Sequence, residues 1–258
     1  MLGLGNSLAG DADLQGNQNN LWALEFDGVN DYVELSDNNV FTPNSSGADR
    51  GFSISMWFKS LEVAGGSAVL ARYGWFNLGA NHHEWQVRTD YLERPILIIY
   101  GDDDYNIKQT FVIDDILAVG TWYHLAFTWD LSSDNTGMIG YVNGVQKTHG
   151  SGGTHSAAGT WAAVANTGGP LLVGGDGSTY RNCKLDEIAL FDDELSSSTV
   201  TDIYNSGKPK DISGEDYVVG YWRCGDGDTY PTIQDRSSNS NNGTMTNMTA
   251  GDITTDAP

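Results

Sequence analysis

Residues 73 to 85, YGWFNLGANHHEW, set Trp75, Phe76 and Trp85 beside His82 and His83, and Tyr100 and Tyr105 come soon after. Sugar rings present C–H faces and hydroxyl edges, so a glycan site needs flat aromatic faces next to polar groups. Trp75, flanked by Gly74, is the aromatic most expected at the surface, and with Tyr100, Tyr105 and His82 it makes the candidate glycan-binding set. For Phe76 and Trp85 a place in the core competes with that role. His82 and His83 lack a third ligand at zinc spacing. Three acidic turns offer oxygens to a hard cation: Asp27 with Asp31, Gly175-Asp176-Gly177-Ser178, and Asp102-Asp103-Asp104. Asp27, Asp31 and Asp176 are the candidate calcium ligands. Ordinary turn chemistry is the competing reading of Asp27 and Asp31, and a solvated hairpin tip that of the Asp102 run.

Catalytic constellations are missing. Retaining glycoside hydrolysis needs two carboxylates a few ångströms apart on one face. The nearest acidic strand, LDEIALFDDE, instead puts Asp186 directly beside Glu187 and leaves a gap before Asp192. Neither G-x-S-x-G, H-E-x-x-H nor a Walker loop occurs, and neither Cys183 nor Cys224 has a neighbouring His. The chain reads as a non-enzyme. The two cysteines form one bridge or none, and free buried thiols are the commoner state in a protein made inside a cell. With 13 Lys and Arg against 34 Asp and Glu, the formal charge is -21, which repels phosphate backbones and anionic membranes. No apolar run approaches the roughly eighteen residues that span a bilayer. The start, MLGLGNSLAGDADL, has no basic and apolar leader pattern, so no secretory routing is expected.

The elements that must position these side chains are strands. From Thr121 to Gln146, two alternating aromatic and β-branched runs flank a polar loop, and the second ends in Asn143-Gly144, a dipeptide that tolerates the positive φ angles of a primed turn. Trp122, His124, Ala126 and Thr128 point one way and Tyr123, Leu125, Phe127 and Trp129 the other, so both faces of this strand must be covered. Similar alternation predicts strands around Trp22–Phe26, Tyr32–Leu35, Phe52–Lys59, Ser67–Tyr73, Glu84–Arg88, Pro95–Tyr100, Ile107–Ile113, Leu171–Gly174 and Lys184–Phe191. Pro95 fits only the first position of its strand. Residues 148 to 169 read as a Gly/Ser/Thr/Ala-rich excursion. One short helix is expected near residues 197–206, with Val200, Ile203 and Tyr204 on one side and Gly207 ending it. The organisation is an N-terminal arm over 1–20, one sandwich domain over 21–207, and an extension over 208–258 that packs on the sandwich or on a neighbouring subunit. Tyr217 to Trp222 is too apolar to stand as a lone edge.

In chain order, ALEFDGVNDYVELS, FSISMWFKS, TWYHLAFTWD with YVNGV, LLVGG, and LDEIALFDDELSSSTVTDIYNSG resemble the laminin-G-like, concanavalin A-like jelly-roll superfamily over residues 21 to 207. The resemblance implies an all-β, two-sheet antiparallel jelly-roll sandwich with the helix across one end. Glucanases of this superfamily carry an E-x-D-x-x-E pattern, which the chain lacks. Many relatives hold a structural calcium, and in pentraxin-like ones the metal loop comes after a strand matching LLVGG, the position of Asp176; here that loop has one acid where theirs has several. Residues 217 to 246 resemble a segment that usually precedes the opening strand. The LGLGNSL start and the GDG…QDRSSNSNNGT ending are similar to lectin-fold structural proteins of marine tailed phages. That similarity implies an oligomeric surface or appendage protein on the exterior of a virion. Its partners would be virion proteins or copies of itself, and cell-surface glycans. The alternative is a carbohydrate-binding or adhesion module of a secreted, extracellular protein.

Overall fold

Period-two alternation decides the architecture. The computed structural model describes residues 20–43, 51–63, 66–73, 83–101, 108–132, 136–147, 153–158, 164 and 166–258. The elements in chain order are β1 (Ala23–Asp27), β2 (Tyr32–Leu35), β3 (Phe52–Ser60), β4 (Ala68–Tyr73), β5 (His83–Thr89), β6 (Pro95–Tyr100), β7 (Lys108–Ile113), β8 (Trp122–Trp129), β9 (Met138–Val142), β10 (Val145–Lys147), β11 (Gly153–Ala158), β12 (Leu171–Val173), β13 (Asn182–Phe191), α1 (Ser197–Tyr204), β14 (Val218–Trp222), β15 (Thr232–Ile233), β16 (Gly243–Thr246) and β17 (Ile253–Thr254). They form two antiparallel sheets. Sheet A runs β10-β9-β8-β3-β13-β1-β17, with β14 also on β13, and sheet B runs β11-β7-β6-β5-β4-β12-β2-β16-β15.

Leu24, Phe26, Ile54, Met56, Phe58, Leu125 and Phe127 from sheet A meet Val33, Leu70, Trp85, Val87, Leu97, Ile99 and Phe111 from sheet B in one buried core. The second face of β8 is covered as its sequence demands. Ala126 joins Tyr141, Ala189, Phe191 and Tyr221 in a separate cluster, which α1 closes with Val200 and Ile203. Ser196 caps the helix, its side chain accepting from Thr199 N, and Asn205, left-handed at φ 48°, ends it. The helix therefore stops before Gly207, because an Asn can take the left-handed cap itself. At the turn between β9 and β10, Asn143 (φ 51°) and Gly144 (φ 72°) are both left-handed. A Cβ on Gly144 would lie 2.9 Å from the Tyr204 ring, so glycine also lets α1 close on the sheet.

Two features depart from the alternating pattern. In β13, Asp186 pairs with Trp57 but Ala189 pairs with Ser55, so one extra residue is inserted, and Glu187 takes φ 48° there. The bulge switches parity: Cys183 and Leu185 before it and Ile188 and Leu190 after it all face the core. Residues 148 to 169, read as an excursion, contain β11, which pairs with β7 from Gly153↔Ile113 to Ala158↔Lys108. GTHSAA carries no apolar alternation, so the sequence pattern does not mark this strand, and it is seen by its backbone pairing along β7.

Residues 208–258 feed both sheets. β14 pairs with Ile188–Phe191 of β13, β16 pairs with β2 along its length, β15 pairs with β16, and β17 pairs with Ala23 and Leu24 of β1. Cys183 and Cys224 are free, buried thiols, and burial pushes Cys183 up to about 12. Among the described residues, no helix is long and apolar enough to cross a membrane.

Candidate functional site

One end of the sandwich is knotted around Arg181, whose guanidinium is fully buried. It donates to Ser60 Oγ at 2.7 Å and to Glu62 O at 3.3 Å, and pairs with the Glu93 carboxylate. Leu117 N donates to Glu93 O and Gly120 N to Ser60 O, so the loops after β3, β5, β7 and β12 converge there. The candidate calcium ligands lie on two turns beside this knot. Asp27 Oδ1 accepts from Val29 N at 2.7 Å and from Asn30 N at 3.3 Å, and Asp31 Oδ2 accepts from Asp27 N at 3.1 Å. Burial raises the Asp31 carboxyl above its usual range, and the Asp27 and Asp252 carboxylates add to this. Asp176 Oδ1 accepts from Ser178 N, Ser178 Oγ and Thr179 N at 2.7–2.9 Å.

These carboxylates act as turn acceptors for their own loops. A calcium ion takes six to eight oxygens, several of them carboxylate. Among the described residues no group of three or more His, Cys, Asp or Glu converges on one point, so this donor set does not fit such an ion. Asp27, Asp31 and Asp176, the candidate calcium ligands of two separate turns, serve here in Asx-turn chemistry, because each carboxylate satisfies backbone N–H groups that a tight turn would otherwise leave unpaired.

Of the candidate glycan residues the structure places Tyr100, which lies at the opposite end. Trp75, His82 and Tyr105 lie outside the described residues; the strand ends on either side of them are Tyr73 and His83, then Tyr100 and Lys108. Tyr100, expected on the glycan surface, is 2% exposed, and its hydroxyl accepts from Gln86 Nε2 at 2.5 Å. It is a structural side chain, in keeping with the frequent burial of aromatic residues.

At this end the structure assembles a polar group that sequence reasoning passed over. Arg72 and Glu84 are fully buried and paired, with Nε to Oε2 at 2.6 Å. Glu84 Oε2 also accepts from Thr42 Oγ1 at 2.7 Å, and Oε1 accepts from Thr167 N at 2.8 Å. Arg72 Nη2 reaches the half-exposed Asp37 carboxylate at 2.7 Å, and its Nη1 has no partner among the described residues. Asn166 Nδ2 donates to Asn39 Oδ1 at 3.0 Å on the exposed rim. The result is a fixed Asp37 acceptor beside two amides, oriented from below by a buried ion pair. Fixed planar groups of this kind recognise vicinal hydroxyls. Asp37-Asn38-Asn39 reads in sequence only as a polar loop, and Glu84 is hidden between His83 and Trp85; only the fold joins them.

The acidic strand offers no exposed carboxylate pair. Asp186 and Glu187 are 0% and 4% exposed. Glu187 accepts from Tyr221 Oη and, at 3.1 Å, from Arg223 Nε, while Asp186 accepts from Asn20 Nδ2.

A family model described as the concanavalin A-like lectin/glucanases superfamily matches residues 27–201. Over 93 residues, 36% of this chain, the sequence is 32% identical to the pentraxin-related protein PTX3 of Bos taurus, of which it spans 21%. Among solved structures, a candidate carbohydrate binding protein from Bacteroides ovatus aligns over 92% of this chain and 61% of its own, with a TM-score of 0.59 at 16% identity. The heptameric SAP-like pentraxin from Limulus polyphemus aligns over 73% of this chain and 84% of its own, with a TM-score of 0.49 at 11% identity. The chain therefore spans about a fifth of the curated relative and under two thirds of the Bacteroides protein.

Proposed function

The chain belongs to the concanavalin A-like lectin/glucanases superfamily, and on that premise we propose that it is a non-enzymatic, lectin-like module that binds glycans at a loop end of its sandwich. The observation that carries the reading is the exposed Asp37 carboxylate locked by the buried Arg72–Glu84 pair. A hydrogen-bond acceptor held from beneath loses little freedom when a sugar arrives, which is what a weak polar ligand requires. The strand ends Tyr73, His83, Tyr100 and Lys108 lie at this end of sheet B, and Trp75 and Tyr105, which come between them in sequence, are the residues we propose for the stacking face. A glycan array with the intact protein tests the reading. Binding to a defined glycan class that Asp37→Ala and Trp75→Ala each remove supports it. Absence of binding to every glycan sinks it.

A second reading places the module on a virion exterior. Its support is that the outer face of sheet A holds the residues just before β1 and just after β17: Asn20 bonds Asp186, and Asp256 pairs with Lys59 and Lys184. That face would dock while the loops of sheet B turn outward. Light scattering on the whole chain and on one lacking residues 1–19 tests it. A defined oligomer that dissociates on deletion is expected, and a monomer indifferent to it rules the reading out.

A further inference from the structure

We propose that Tyr32 and Tyr180 form a preorganised stacking platform for a neutral pyranose on the outer face of sheet B, at the end opposite the Asp37 site. In β2, Val33 and Leu35 enter the core, so Tyr32 and Glu34 face outward; in β16, Met245 enters the core, so Thr244 and Thr246 face outward. The register places Tyr32 opposite Thr246 and Glu34 opposite Thr244. Glu34 and Thr244 are exposed, and Tyr32 and Thr246 half-exposed. Tyr180 comes from the neighbouring hairpin, and the two rings lie 6.1 Å apart with their planes 33° from parallel. The two tilted, adjoining rings make an apolar surface, and the carboxylate and two hydroxyls along one side supply acceptors and donors for sugar hydroxyls.

The platform is fixed before any ligand arrives. Tyr180 is bridged to Gly175 through the backbone, its ring lies against Gly175, and its hydroxyl donates to Gly177 O at 3.3 Å. Asp176, accepting three hydrogen bonds within the same turn, shapes the hairpin that presents this ring. The aspartate is a positioning residue for a stacking surface. Beyond β16, Met245 N donates to Pro231 O and Tyr230 Oη to Met248 O, which sets Tyr230, 44% exposed, along the outer edge as a place for a second sugar unit.

Charge selects the ligand class. Glu34 on the same face and Asp176 in the turn that carries Tyr180 flank the rings in a chain of net charge -21, so a sialate or uronate is repelled and a neutral hexose is not.

The inference rests on the glycan-binding reading and relocates or adds a site, so the two are tested apart. Isothermal titration would use cellohexaose, chitohexaose and a neutral β-galactan hexasaccharide, with sialyllactose as the acidic probe, on the intact chain and on Tyr32→Ala, Tyr180→Ala, Tyr180→Phe and Asp37→Ala. The expected result is binding of at least one neutral hexasaccharide, weakened about tenfold or more by either alanine, which corresponds to about 1.4 kcal/mol, and kept by Tyr180→Phe, which retains the ring. Thermal melts of each variant separate lost binding from lost fold. Neutral-sugar binding abolished by Asp37→Ala but untouched by Tyr32→Ala and Tyr180→Ala overturns the platform and leaves the broader reading standing. Preference for sialyllactose overturns the selectivity. No binding to any of these sugars, with none on the array, overturns both.

Discussion

Glu187 shows how much one inserted residue can decide. Its left-handed φ makes the bulge that keeps Ile188 and Leu190 in the core, and its carboxylate is drawn inward to Tyr221 and Arg223. Burial raises its pKa against those two hydrogen-bond partners, to about 7 from 4.5. Burial and the adjacent Glu187 charge push Asp186 well above its usual range too. Folded Glu187 therefore holds a proton that the unfolded chain releases near pH 4.5. That contribution to stability is full below pH 4.5 and is lost as pH rises through 7. Melting temperature should rise between pH 7.5 and 5, and Glu187→Gln should flatten that slope without removing it, because Asp186 remains; an unchanged slope in the variant would refute the assignment. Asp256 works in the opposite sense. Burial raises its pKa, but the Lys59 and Lys184 hydrogen bonds outweigh this and bring it down to about 2, so its contribution is present above the ordinary carboxylate range and fades as pH falls toward 2. Chelation gives a separate check at this scale. With the Asp27, Asp31 and Asp176 oxygens engaged as turn acceptors, excess EDTA should leave the melting midpoint where it was, and a fall would restore the calcium expectation. For Asp27 and Asp31 the sequence left turn chemistry and metal binding both open, and the buried ion-pair group it did not show. An acid at a turn looks the same whether it faces an ion or a backbone N–H, and the Arg72–Glu84–Asp37 group joins residues from three separate stretches of chain.

Among the elements, legibility tracked side-chain pattern. β3 alternates strongly, β6 and β8 are dense in β-branched and aromatic residues, and the bounds of all three lie within a residue of those read from the sequence. β11 has no such pattern and is seen by its pairing along β7. The helix was visible because its start and its apolar side both depend on local chemistry: Ser196 accepts from Thr199 N at 3.1 Å, and Val200 and Ile203 are buried. Its last residue was misplaced because the sequence offers two left-handed candidates, Asn205 and Gly207, and the chain turns at the first. Ser196→Ala should cost about 1 kcal/mol, read by urea denaturation, since one helix N–H loses its acceptor. Asn205→Gly should be neutral or stabilise by a few tenths of a kcal/mol, because glycine adopts the left-handed cap without strain. Equal destabilisation by both would mean that the helix end is held by packing on the sheet, with the caps contributing little.

For the whole molecule, the question is what the C-terminal segment does to a sandwich whose family match ends at residue 201. Without it, β2 loses β16, β1 loses β17, and the second half of β13 loses β14, leaving three open edges and an exposed core beside Trp222 and Met245. A chain ending at Asp216 should therefore aggregate or lose cooperative unfolding. The geometry suggests a sharper experiment. Ala23 pairs with Thr254 and Leu24 with Ile253, so the end of β17 lies beside the start of β1 as in a hairpin. The link over Ser213 and Gly214 is exposed, and a Cβ on Gly214 would meet nothing within 4 Å. A circular permutant that joins residue 256 to residue 21 through a short Gly-rich linker, and opens between Ser213 and Gly214, restores the order in which β14 to β17 precede β1. It should fold with a midpoint near that of the parent, since every ladder is kept and only a surface link is cut. Because loop closure depends weakly on length, the new hairpin costs little beyond the old connection. A permutant that fails to fold while the parent tolerates a cut at Ser213 would show that β17 must be laid down after β1, and that the C-terminal strands close a sandwich already formed.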